Sequence, residues 1–338
     1  VRTLRYLVIR CTDESGFANS PELEMLARTV RFLWPDAQRF QAMAMQQQNQ
    51  ALGESADAEA DPEPPLPNEE EIRSLSAYVL TAIYEPELGS SLRSTLDAVQ
   101  RVGWVVRDRF SQDSWRILHG LVSDFLAVDL KGARPDMPDA LMALNELITG
   151  LAAFSGLVLE NMTREPGYIF LDLGRRLERA LHISHLLNST LSTPLFPEEP
   201  VLHAVLAICD SPMTYRARYA NHVQPHTVLD LLLCDEANPR SVAFQLDTMT
   251  EHFHLLPGWQ ALGETDEERI VRELQQEIRV FDAAAAVQLD RYQTRPQLLT
   301  LLNRVVVELP DVSSHVARRY FSHTMPTQQL GAIQPADE

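Results

Sequence analysis

The densest polar patch in this 338-residue chain is Asp172-Leu-Gly-Arg-Arg-Leu-Glu-Arg179. On a helix, Asp172 stands four residues before Arg176 and Arg175 four before Arg179, so the charges share neighbouring faces. Guanidinium groups are rigid bidentate forks, and a cluster of them can receive a carboxylate or a phosphate. The same residues also suit a structural job, a salt-bridged face or a clamp in which Glu178 reaches an arginine of another helix. Gly174 permits close backbone approach on the apolar side of that helix. A second patch, Asp210 to Tyr219, sets Tyr215 and Tyr219 on one helix face with Arg216 and Arg218 beside them. In a third, Leu229 to Gln245, the spacing of Asp235, Asn238 and Ser241 suits caps for the next helix. Asp230 lies in an apolar run, where partial burial requires a partner, an arginine of the other patches.

Glu178, His182 and His185 fall at i, i+4 and i+7, a spacing that can present metal ligands along one helix face. A di-iron bundle needs Glu-x-x-His on paired helices, and the sequence has no second copy, so no metal is expected. Glu178 beside Arg175 and Arg179 is the candidate acid/base if the chain is catalytic. The sequence contains no G-x-S-x-G elbow, H-E-x-x-H, G-x-G-x-x-G or glycine-rich phosphate loop. Lys131 is the single lysine, in a turn that is no P-loop. No cofactor is therefore expected on this chain, and ATP binding by it alone is argued against.

Acids outnumber bases 47 to 29, giving a net charge of −18, which repels phosphate backbones and anionic bilayers. Nucleic acid and membrane are thus unexpected partners. Cys11, Cys209 and Cys234 are odd in number and widely separated, which suits buried thiols in a reducing compartment. With no visible signal peptide and no uncharged apolar stretch of 18 residues, a cytoplasmic protein is expected. Val1 opens a helical pattern that lacks an N-cap, so a truncated start, a piece of a longer chain, is expected.

Nearly every segment carries the helical period. Starts are punctuated at Ser20-Pro21, at the capping-box spacing Asn68-x-x-Glu71, and near Pro138, Pro166, Pro197, Pro225, Thr265 and Pro296. Val305-Val306-Val307 could be a strand alone but sits in a helical pattern from Gln297 to Phe321. The reading is all-α, a multi-helix bundle of about a dozen helices. Residues 1–40 supply N-terminal helices, 41–67 a disordered Gln-, Ala- and Pro-rich loop, 68–324 the bundle, and 325–338 a flexible tail. The openings at Tyr84–Arg93 and Asp235–Val242 both set an acidic turn and a serine ahead of an apolar helix, which suggests two similar halves.

Three segments, Glu160–Ala180, Thr214–Tyr219 and Asp235–Phe244, carry a resemblance to the bacterial Alpha-E domain family, a helical domain named for its Glu-Arg motif. The motif maps to Glu178 and Arg179, and Arg175, Arg176, Tyr215, Arg216, Asp235, Asn238 and Ser241 fall on matching positions. The family's first Gly-Arg-x-x-Glu-Arg-Ala helix has no counterpart here, and its Asn-Pro-x-Ser turn reads Glu87-Leu-Gly-Ser90. The resemblance implies association with a circularly permuted ATP-grasp protein, and with a transglutaminase-like protein, in a system that forms peptide or amide bonds. ATP and Mg would belong to that ATP-grasp domain. The function expected is an accessory module that docks the ligase or binds a peptide or amino-acid carboxylate. The ligand-binding set expected is Arg175, Arg176, Glu178, Arg179, Tyr215, Arg216, Arg218, Asp230, Asp235, Asn238 and Ser241. The alternative is an enzyme in its own right, working through Glu178.

Overall fold

A computed structural model describes residues 1–12, 21–34, 36, 67–130, 135–219, 222–259 and 264–322. The loop expected from Gln41 onward, the Lys131 turn and the C-terminal tail lie outside the described residues. Within the described residues there are fourteen α-helices and no strand, as the period indicates.

Two groups of helices with the same neighbour relations make up the bundle. In the first, α1 (Arg2–Thr12) and α2 (Pro21–Leu33) precede α3 (Pro67–Tyr84), α4 (Leu92–Val105), α5 (Gln112–Leu126) and α6 (Met137–Asn161). In the second, α7 (Pro166–Leu191), α8 (Glu199–Ile208), α9 (Pro212–Arg218) and α10 (Pro225–Leu229) lead to α11 (Val242–Phe253), α12 (Asp266–Arg279), the short α13 (Ala283–Ala286) and α14 (Pro296–Phe321). A wide turn of backbone, Asp230–Cys234, continues α10. Packing runs α4 on α5, α5 on α6 and α6 on α1; the second group repeats it as α11 on α12, α12 on α14 and α14 on α7. The groups join where α2 lies on α7 and α8 lies on α1.

The starts follow the sequence signals. Asp136 and Asp139 form a reciprocal capping box on α6, and Thr265 caps α12 through the Glu268 amide. Pro166, Pro212, Pro225 and Pro296 each occupy a first turn, where the missing N–H costs nothing. One continuous core runs through both groups, including Leu7, Ile83, Leu144, Leu187, Leu232 and Leu302, each with almost no exposed surface. Fully burying such a side chain contributes about 1.5–3 kcal/mol.

The two turns ahead of α4 and α11 have the same outline. Ser91 N–H donates to the Leu88 carbonyl and Ser241 N–H to that of Asn238, both at 2.9 Å. Each serine then caps its helix, accepting from Ser94 N–H and Phe244 N–H.

One described helix, α6, is long and apolar enough to cross a bilayer, with Glu146 interrupting its apolar run. Here Ala140, Leu144 and Leu147 seat it in the core against α1 and α5. Cys209 is buried and Cys11 and Cys234 are half-buried, all three as free thiols.

Candidate functional site, an arginine-lined cleft

Helix α7 divides the Asp172–Arg179 patch between two jobs. On one side Asp172, only 4% exposed, accepts from Arg176 Nε at 3.0 Å and from His252 Nε2 on α11 at 2.8 Å. Arg175 Nε stands 3.6 Å from its other oxygen. Burial alone would raise this carboxyl's pKa, but the His252 hydrogen bond and the Arg176 and Arg175 charges outweigh it and hold it at about 2. Arg176 also donates to Gln245 Oε1 at 3.2 Å and lies over the Phe244 ring. Gln245, fully buried, donates in turn to the carbonyls of Pro239 and Ser241. Asp172 and Arg176 are therefore a structural tie between α7 and α11.

The other side of α7 opens on a cleft of about 460 Å³. Arg175, Glu178, Arg179 and His182 line it from α7, Arg2 from α1, and Arg240 from the turn before α11. Its apolar wall is Ile148, Leu151 and Ala152 of α6 with Ile183 and Ile208. Asp210, held at φ 56°, forms ion pairs with Arg2 at 3.0 Å and Arg240 at 3.2 Å. Arg179 reaches only the Pro239 carbonyl, at 3.5 Å, and makes no ion pair with a described carboxylate. Burial first, then the charges of Arg240, Arg175 and Arg176, lower its pKa to about 10. Arg240 is lowered too, by burial and by Arg2. Positive charge is packed here beyond what the local acids neutralise, in a chain whose net charge is −18.

Of the remaining expected ligand-binding residues, Glu178 borders the cleft and the others stand away from it. Glu178 is exposed at the cleft edge, and among the described residues it forms no ion pair that would clamp two helices. Tyr215 is buried; its hydroxyl meets Thr227 Oγ1 at 2.6 Å and accepts from Gln224 N–H, so it braces α9 against α10 rather than facing a ligand. Asn238 and Ser241 are buried turn and cap residues, with Asn238 Nδ2 donating to the Leu231 carbonyl. Asp235 is taken by Arg218, and its carboxylate also accepts from Ala237 N–H. Asp230 is exposed, not half-buried, and its partner is the Tyr219 hydroxyl rather than an arginine. Arg216 is exposed. Gly174 is exposed too, with open space where a side chain would stand, so no close helix approach depends on it.

His182 shares a 2.9 Å hydrogen bond with Thr3 Oγ1, and burial lowers its pKa to about 4. Among the described residues no group of three or more His, Cys, Asp or Glu side chains is placed to hold a metal ion. Sequence reasoning missed Arg2 and Arg240 as members of the cleft, and Asp210 as the carboxylate that pairs with both. Arg240 had a signal, two residues beyond a capping asparagine in a turn that must face α7; Arg2 had none.

Fold and cleft together define an all-α bundle module with a guanidinium-lined pocket. Residues 22–321 match the Alpha-E family, described as a predicted alpha-helical domain with a conserved ER motif. The chain belongs to that family. Uncharacterized proteins of Mycobacterium tuberculosis and Mycobacterium bovis are each 30% identical to it over 236 residues. The match takes in 68% of this chain and 26% of each relative, so the chain spans about a quarter of their length. No solved structure matches.

Proposed function

We propose that this chain is a cytoplasmic, non-catalytic binding module that holds an oxyanion, a carboxylate before all, in the cleft of Arg175, Arg179 and Arg240. The observation that carries the reading is Arg179, half-buried, repelled by three neighbouring guanidinium groups and paired with no described carboxylate. Such an arrangement costs folding free energy and is relieved by an incoming anion. Within the amide-bond-forming setting that the family resemblance implies, the module presents a peptide or amino-acid carboxylate to a circularly permuted ATP-grasp ligase, or docks on it. ATP and Mg stay with the ligase, and a transglutaminase-like protein is a further partner. The relatives' much greater length supports a module that works beside other domains. Calorimetric titration with acetate and short acidic peptides tests the core of this. Heat that disappears in Arg179→Gln is expected; no heat at ten-millimolar ligand overturns the reading.

Glu178 supports the second reading, an enzyme in its own right. It is an exposed carboxylate beside Arg175 and Arg179, open to a ligand's proton. Turnover in the reconstituted ligase system that Glu178→Gln abolishes at unchanged Tm would favour catalysis over binding.

A further inference from the structure

Three chemically different surfaces meet in the cleft, and an oxyanion alone satisfies one of them. The guanidinium groups of Arg175, Arg179 and Arg240 form one side. Glu178 stands on the rim as a carboxylate with no ion pair to a described base. A third part of the lining is a hydrocarbon wall, from Ile148, Leu151 and Ala152 of α6 with Ile183 and Ile208. A volume of about 460 Å³ is far more than the roughly 10–15 Å³ that one water needs. It falls within the range of small-molecule pockets, where apolar walls supply affinity and a few polar groups supply orientation. An inorganic anion would leave that wall wet and Glu178 facing another negative charge.

We propose that the ligand is an apolar α-amino-acid unit with a free carboxylate, bound with its carboxylate on Arg179 and Arg175, its nitrogen toward Glu178 and its side chain on the wall of α6. This rests on the oxyanion reading above and adds to it a hydrogen-bond donor and an apolar side chain. A guanidinium fork suits a planar carboxylate, and the neighbouring N–H or ammonium is the group a lone carboxylate accepts from. Ala152, exposed on the wall, marks where the side chain rests. Two sources share this chemistry, a free amino acid and the C-terminus of a peptide. They differ at nitrogen, where a free ammonium pairs with Glu178 far more strongly than an amide N–H.

Titration calorimetry separates the possibilities, using the whole chain with leucine, acetyl-Ala-Leu, acetyl-Ala-Leu-amide, acetyl-Ala-Ser and inorganic phosphate. One or both leucine acids are expected to bind at least tenfold more tightly than the amide, the serine peptide and phosphate. Leucine alone binding, with the affinity lost in Glu178→Gln, assigns the free amino acid. Acetyl-Ala-Leu binding at least equally assigns the peptide terminus. Ala152→Asp, a substitution at an exposed position that keeps the fold, is expected to weaken both at least tenfold. Binding of phosphate or the serine peptide as tight as that of the leucine acids overturns this inference and leaves the oxyanion reading standing. Silence from all five ligands at ten millimolar overturns both.

Discussion

Asp172 and His252 stand 80 residues apart in the chain, and their side chains meet at 2.8 Å where α7 crosses α11. The same carboxylate takes Arg176, so one buried acid serves an imidazole and a guanidinium together. Removing one partner of such a network leaves charge or a donor uncompensated, which costs about 3–5 kcal/mol. Asp172→Ala is expected to fall in that range by urea denaturation. The acid dependence has a definite sign. Asp172 is held at about 2 in the folded chain against 3.8 ordinarily, so its stabilisation is complete above about pH 4 and lost as pH falls toward 2. The shift corresponds to about 2 kcal/mol. Between pH 5 and 2 wild type should lose about 2 kcal/mol more than Asp172→Asn; equal losses would contradict the assignment.

Two arginines three positions apart on α7 should respond oppositely. Arg176 is tied to Asp172 and Gln245, so Arg176→Met strands a buried carboxylate and is expected to lower stability by about 2–4 kcal/mol. Arg179 sits among like charges, and Arg179→Gln relieves them, so Tm is expected to hold or rise while anion binding is lost. Glu178→Gln, at an exposed carboxylate, should stay within about 0.5 kcal/mol of wild type. A strongly destabilised Glu178→Gln would restore the clamp that the geometry removes.

The sequence marked the helices well because their signals are local. Pro166, Thr265 and Pro296 each fixed a start, and the period through Val305 kept that segment helical despite three β-branched residues. The convergence of the Arg175–Arg179 patch with the turn at Pro239 was legible only as an expectation, since no local rule brings those residues together. What escaped was geometry set by tertiary packing. Asp230 reads as half-buried within an apolar run, yet it stands exposed with the Tyr219 hydroxyl as its partner. Asp210 adopts a positive φ, which aspartate tolerates better than most residues, and pairs with Arg2 and Arg240, which no local pattern announces.

Arg295 and Glu198 form a tie that no local motif announces, nearly buried and bidentate at 2.6 and 2.9 Å. Arg295 also donates to the carbonyls of Leu191 and Val287, so one side chain joins the end of α7, the approach to α8 and the start of α14. Every donor spent here satisfies a group that would otherwise be buried unpaired. Glu198→Ala is expected to cost about 3–5 kcal/mol, because the guanidinium remains in place without its carboxylate. Arg295→Lys should recover little, since an ammonium cannot reproduce the planar fork. Chemical denaturation of the two variants checks both statements, and a Lys variant as stable as wild type would show that point charge, not geometry, holds the tie.

Ser91 and Ser241 start α4 and α11 from turns of the same outline, which permits a matched pair of cap deletions. Each hydroxyl accepts from the amide three residues on, and losing such a cap costs about 1 kcal/mol. Ser241 does more, because its hydroxyl also donates to the Asp235 carbonyl, closing the turn that carries Arg240 into the cleft. Losing that bond leaves the half-buried Asp235 carbonyl with the Asn238 N–H, at 3.3 Å, and adds about 1 kcal/mol. Ser91→Ala is therefore expected to lose about 1 kcal/mol, and Ser241→Ala about 2 kcal/mol, in urea titrations of each variant. Ser241→Ala should also weaken ligand binding, as the turn before α11 loosens and Arg240 loses its fixed position beside Arg179. Ser91→Ala, on the other half of the bundle, should leave binding unchanged. Equal effects of the two substitutions on ligand affinity would mean that the Asp235–Ser241 turn does not position the cleft.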